Sequence, residues 1–173
     1  MPRTAWRRTA AVLALTLVPV LSACSIGVSA GTTSQGPSGN GANANSTSGT
    51  INLRGVTIVT GPAGSTNANL LATVVNAGTE DDTLTGVTIT APGGATTTIT
   101  GSGVSGGQLP LPSQSSSRVG FNSTENIEIA GLTIAPTAFA QVQFTFAKAG
   151  TVSVPTMAVP PTGIYTGLGP VTG

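Results

Sequence analysis

The chain has 173 residues and a mass of 16.8 kDa, a length that suits one domain. Only 6% of residues are charged and 3% aromatic, against 24 Gly and 12 Pro; short β-branched strands joined by glycine-rich turns are favoured over a helical bundle. There is no histidine and one cysteine, which excludes Ser-His-Asp hydrolysis, Cys-His chemistry, zinc fingers and His-ligated haem.

At the amino terminus Arg3, Arg7 and Arg8 precede an uncharged apolar run from Ala10 to Leu21. This order of basic then apolar residues marks an export signal, and the run is too short to span a bilayer, which takes ~20 residues. The run ends in Leu21-Ser22-Ala23-Cys24, which resembles the bacterial lipoprotein signal, the lipobox. That resemblance implies a signal peptide over residues 1–23 and a diacylglycerol thioether on Cys24. The same resemblance implies that Cys24 is the first mature residue, with an amino group open to acylation, and that the protein is exported and anchored on the extracytoplasmic side of a membrane. Arg7-Arg8 also fits a twin-arginine signal, although any signal carries basic residues there.

Processing removes three of the six cations. Arg54, Arg118 and Lys148 remain against Glu80, Asp81, Asp82, Glu125 and Glu128, a net charge of −2. A weakly acidic surface without an evident basic patch argues against nucleic acid and against electrostatic attraction to anionic lipid.

Residues 25–50 are mostly Ser, Thr, Gly, Asn and Ala with one Pro and no charge, and their only larger apolar residues, Ile26 and Val28, sit beside the lipid end. Such a segment buries too little apolar surface to offset its ordering entropy, so residues 24–50 are expected to form a lipidated leash. Its reach is roughly 25–30 Å.

From Ile51 onward the apolar residues alternate with period two, and no convincing helical stripe appears. Ile51 and Leu53 have one parity and Val56 and Ile58 the other, with Gly55 between. Leu84 against Val87 and Ile89 repeats this around Gly86, and both breaks predict β-bulges. Further strands are expected over 69–76, 96–100, 117–121 and 126–132. Turn signals at Gly61-Pro62, Ala77-Gly78, Pro92-Gly93-Gly94, Gly101 to Gly107, Pro110 and Pro112 separate them. Over Ala138 to Phe146, Ala138, Ala140, Val142, Phe144 and Phe146 share the inward face. Lys148-Ala149-Gly150 turns into a returning strand with Val152 and Val154 inward. Pro155 ends that strand or places it on an edge. The expectation is an all-β sandwich or Greek-key barrel of about seven to nine short strands over residues 51–159, followed by a Pro/Gly-rich tail, 160–173. In that tail Ile164, Tyr165 and Leu168 could pack back, lie loose or dock on a partner. Fraying of termini favours the loose state.

Three strings occur in order: Asn69-Leu-Leu-Ala-Thr-Val-Val-Asn-Ala-Gly78, Leu109-Pro-Leu-Pro112 and Phe144-Thr-Phe-Ala-Lys-Ala-Gly-Thr-Val152. Together they resemble the actinobacterial LpqE-type lipoproteins and, more distantly, the periplasmic copper chaperone family PCu(A)C. The resemblance implies a cupredoxin-like Greek-key barrel and, from the LpqE-type proteins, a protein partner in the respiratory cytochrome bcc–aa3 assembly. The chaperone family binds Cu(I) through His and Met, soft or borderline donors. Aligned on Gly131-Leu132, Asn126 and Glu128 stand where a His-x-Met pair would be, and the earlier pair falls near Thr98 to Gly101. Met157 is the one thioether left after processing. The fold is therefore carried over and the copper ligands are not: no metal, no cofactor and no catalytic residue is expected. The alternative is a copper-chaperone-like, metal-handling protein that recruits Met157 with oxygens or with a partner's ligands.

Other constellations are weak. Glu80-Asp81-Asp82 lacks the spacing of a calcium loop and reads as a solvated hairpin tip. Glu125 and Glu128 have opposite parity, serines 113, 115, 116 and 117 lack a histidine, and Lys148 sits in its own turn. Gly101 to Gly107 lacks the lysine of a phosphate loop. An interaction or accessory module, not an enzyme, is the expected function, with no small-molecule substrate evident.

Overall fold

The computed structural model describes residues 41–100, 108–121, 123 and 125–170. The signal residues Leu21, Ser22 and Ala23, the lipidation residue Cys24 and the loop 101–107 lie outside the described residues.

Ten strands form the unit: β1 (Ala42–Asn45), β2 (Ile51–Thr60), β3 (Ala68–Asn76), β4 (Asp82–Thr90), β5 (Thr96–Thr100), β6 (Leu109–Leu111), β7 (Ser115–Val119), β8 (Ile127–Ile129), β9 (Phe139–Phe146) and β10 (Gly150–Val159). A single 3₁₀ turn, Gly163–Tyr165, is the only helical element among the described residues. Seven strands lie in the order β5-β4-β9-β10-β2-β3-β7, with β1 beside β2, β6 beside β4 and β8 beside β3. The result is the expected all-β, nearly closed barrel.

Strand β10 is the seam. Its residues Gly150 to Met157 pair antiparallel with Phe146 to Phe139, and then Ala158 and Val159 pair in parallel with Ile58 and Val59. One strand thus belongs to both halves of the barrel. Pro155 lies opposite Gln141 and is exposed, at a point where β10 has a ladder partner on one side only. The missing donor is harmless there, so the strand runs on to Val159.

Alternation places the core as expected. Ala140, Val142, Phe144 and Phe146 point inward with Val152 and Val154 across the hairpin, and Phe144 is fully buried. The parity breaks are bulges: the β2–β3 register shifts between Arg54 and Thr57, and the β4–β9 register shifts between Leu84 and Val87. Gly55 supplies the positive φ of 63° at the first. Each bulge restores the inward face, so Ile51, Leu53, Val56 and Ile58 are all buried.

Three expectations need correction. The leash does not extend to Thr50, because Ala42–Asn45 forms β1 against β2 and buries Ala42 at 2% exposure. The physical reason is local hydrogen bonding that composition does not reveal: Asn43 Oδ1 accepts the Gly55 N–H at the bulge (3.0 Å), and Arg54 Nη1 donates to Asn45 Oδ1 at 2.8 Å and Ala44 O at 3.2 Å. Leu109–Leu111, flanked by prolines, is not a plain turn. It pairs with β4 and buries both leucines, while Pro110, opposite Thr83, is exposed. The tail through Pro170 is not loose. Tyr165 and Leu168 lie against Val59, Leu71 and Val159 on the outer face of β2, β3 and β10, and Asn69 Nδ2 donates to Leu168 O at 2.9 Å.

Candidate functional site

The positions aligned with copper ligands come first. Asn126 is exposed just before β8, and Glu128 is exposed on it, where its Oε1 accepts a hydrogen bond from Asn67 Nδ2 at 3.4 Å. The side chains at 97–100 and residue Gly101 lie outside the described residues. Met157 is partly buried and packs, as Tyr165 and Leu168 do, against the outer apolar cluster of Val59, Leu71 and Val159. No group of three or more His, Cys, Asp or Glu that could hold a metal occurs among the described residues. Amide and carboxylate oxygens beside one packed thioether do not fit a soft cation, so this donor set does not suit copper.

The acidic run has a structural occupation. Asp82 opens β4 and is 7% exposed. Its Oδ1 accepts the N–H of Thr83 (2.7 Å) and of Lys148 (2.9 Å), and its Oδ2 accepts that of Ala149 (2.9 Å). Asp81 Oδ1 accepts the Ser113 N–H at 2.8 Å. Lys148 Nζ donates to Glu80 Oε2 at 3.0 Å, and that hydrogen bond chiefly raises the lysine's pKa above its usual value. Slight desolvation opposes the shift, and the charges of Glu80, Asp82 and Asp81 reinforce it. Only Asp82 departs from the expected solvated tip, since it latches one hairpin to another. Beside it Asn76 is buried and saturated: Nδ2 donates to Glu80 O and Leu111 O, and Oδ1 accepts the Gly78 N–H. The Asn-x-Gly string carries that Asx turn in the sequence; the reach to Leu111 it does not carry.

The remaining candidates stay apart. Glu125 Oε2 is enclosed without a hydrogen-bond partner among the described residues, whereas Glu128 is exposed, so the two do not converge. Ser115 Oγ donates to Pro112 O at 2.6 Å, and no base approaches it.

A groove that alternation alone did not disclose lies on the outer face of the barrel. Arg54, Thr73 and Arg118 are direct cross-strand neighbours on β2, β3 and β7. They form one row at the mouth of a groove of about 420 Å³, into which Leu71, Phe121, Ile164 and Tyr165 also face. Arg54 Nη1 reaches only neutral oxygens, Leu53 O at 2.7 Å as well as the two on β1. The one ion pair among the described residues is Lys148–Glu80, so neither arginine has a carboxylate partner there. Phe121 and Ile164 are 46% and 68% exposed.

With this geometry in view, the chain is similar in structure to the apo PCuAC domain of PmoF2. That likeness has a TM-score of 0.52 and 21% identity, and covers 70% of this chain and 97% of that one. A copper-bound PCuAC domain from PmoF2 gives a TM-score of 0.50, 20% identity and coverage of 65% and 95%. The apo PCuAC domain from PmoF1 gives 0.51, 16%, and 69% and 99%. No family model and no curated relative matches the chain. At this identity the likeness is one of fold: an all-β barrel of the PCuAC, cupredoxin-like kind.

Proposed function

We propose that the protein is a non-enzymatic accessory module, exported and held at the membrane through Cys24, which acts by contact on a copper-chaperone-like scaffold. The observation that carries this reading is the donor set. The scaffold is that of PCuAC domains, yet Asn126 and Glu128 stand at the aligned positions and the mature chain's one thioether, Met157, is engaged in packing. Oxygen donors on an exposed strand offer a soft cation little, and a chain without imidazole lacks the usual proton relay at neutral pH. The partner we propose, following the resemblance to LpqE-type lipoproteins, is the respiratory cytochrome bcc–aa3 assembly. Affinity purification of the tagged full chain from solubilised membranes tests it: co-purification of a stoichiometric membrane complex is expected, and recovery of the chain alone overturns it. Cys24→Ala is expected to abolish labelling by palmitate and release the protein from the membrane fraction.

The fold likeness favours one second reading, a metal-handling protein that supplies Met157 together with a partner's ligands. A Cu(I) competition titration separates the two. Sub-micromolar binding abolished by Met157→Ala supports the metal reading; no competition supports the contact reading.

A further inference from the structure

We infer that the groove bounded by the Arg54–Thr73–Arg118 row and the C-terminal 3₁₀ turn is a binding site for a single-chain amphiphilic anion, an apolar chain carrying one carboxylate or phosphate. The groove is concave and about 420 Å³ in volume, a size that takes a small organic molecule. Its apolar surface comes from Leu71, Phe121, Ile164 and Tyr165, two of which expose large side chains to solvent although the rest of the barrel's large apolar groups are mostly buried. Its charge is of one sign. Of the three cations in the described domain, two stand in this row, their backbones about 10 Å apart at two interstrand spacings, and no acidic residue is among the described residues that line the groove.

The two arginines are held differently. Arg54 is oriented by its bonds to β1 and Leu53, whereas the Arg118 side chain donates no hydrogen bond to the described residues and can turn toward a headgroup. Guanidinium pairs bind carboxylate or phosphate through charge-assisted bonds, and the adjoining apolar wall accepts the chain. Concavity favours a ligand that enters over a bilayer that lies against a surface. The inference stands independently of whether the protein handles metal or meets a respiratory partner.

Tyr165 is the only tyrosine of the chain, so full-length Cys24→Ser protein labelled with ¹³C-tyrosine gives one ring signal from inside the groove. Decanoate, titrated below its micelle-forming concentration, is expected to shift that signal saturably. Decanol should bind at least about tenfold more weakly, and Arg118→Gln should weaken decanoate by about tenfold, the range of a lost charged hydrogen bond. Arg118→Lys should recover part of the loss, and Lys148→Gln should leave binding unchanged. Because the Arg118 side chain donates no hydrogen bond to the described residues, its replacement is expected to leave stability intact, and the melting temperature checks this. The inference is overturned if neither decanoate nor decyl phosphate shifts the signal, or if decanol binds as well. It is equally overturned if Arg118→Gln has no effect, or if only anionic phospholipid vesicles bind, which would make the face a bilayer contact.

Discussion

The carboxylate of Asp82 accepts the backbone N–H of Ala149 at 2.9 Å, so the first residue of β4 closes the turn between β9 and β10. The Lys148 N–H joins the same carboxylate. Removing the acceptor strands these donors near the barrel rim. Asp82→Ala is expected to lose roughly 2–4 kcal/mol of stability, read by urea denaturation, and Asp82→Asn to lose less because its carbonyl keeps one acceptor. Equal stability of Asp82→Ala and wild type would show the latch to be idle.

The Lys148–Glu80 pair predicts a pH dependence of definite sign. The folded-state pKa of Lys148 lies above the ordinary 10.5. Its contribution is therefore fully present below that value and disappears as pH rises through the raised one. Both side chains are largely exposed, so the effect is small and screened by salt. Wild type should exceed Lys148→Gln slightly at neutral pH and low salt, and the difference should vanish above the raised pKa; a gap that widens with pH refutes the assignment.

Gly120 directly follows β7 with φ 82°, and a Cβ there would collide with Leu71 Cδ2. Gly120→Ala is expected to cost about 2–4 kcal/mol, from overpacking together with a strained positive φ. Adding Leu71→Ala should relieve the collision but not the backbone strain, so the double variant should be more stable than the two single losses added together. Additive losses in thermal melts would exclude the contact.

Loss of the tail uncovers apolar surface. Deleting residues 161–173 removes Tyr165 and Leu168 from Val59, Leu71 and Val159 and leaves Asn69 Nδ2 without its acceptor. A loss of roughly 2–4 kcal/mol and new binding of a hydrophobic dye are expected. A fully stable, dye-silent truncation would mean that the tail covers nothing of consequence.

Sequence alone reached the barrel because its strands keep strict alternation: the faces of β9 and β10 and both bulges follow from parity and glycine placement. The limits of the fold were harder. Ala42–Asn45 reads as linker because its strand is held by Asn43 and Arg54 side chains, not by apolar content, and the tail reads as loose because Tyr165 and Leu168, two of its three apolar residues, find partners only in three dimensions. The same holds for the two candidate sites. Asp82 bonds across 67 positions to Ala149, and Arg54 and Arg118 become neighbours only when β3 is laid between their strands. The absence of histidine and the scarcity of sulfur, in contrast, are properties of composition alone.

The double allegiance of β10 sets an order on maturation. Because β10 joins both halves, neither the β4–β9 side nor the β2–β3 side of the barrel is enclosed until β10 has docked on both. Up to that moment each half-sheet keeps an open margin, the kind of unpaired edge that invites another chain to pair with it.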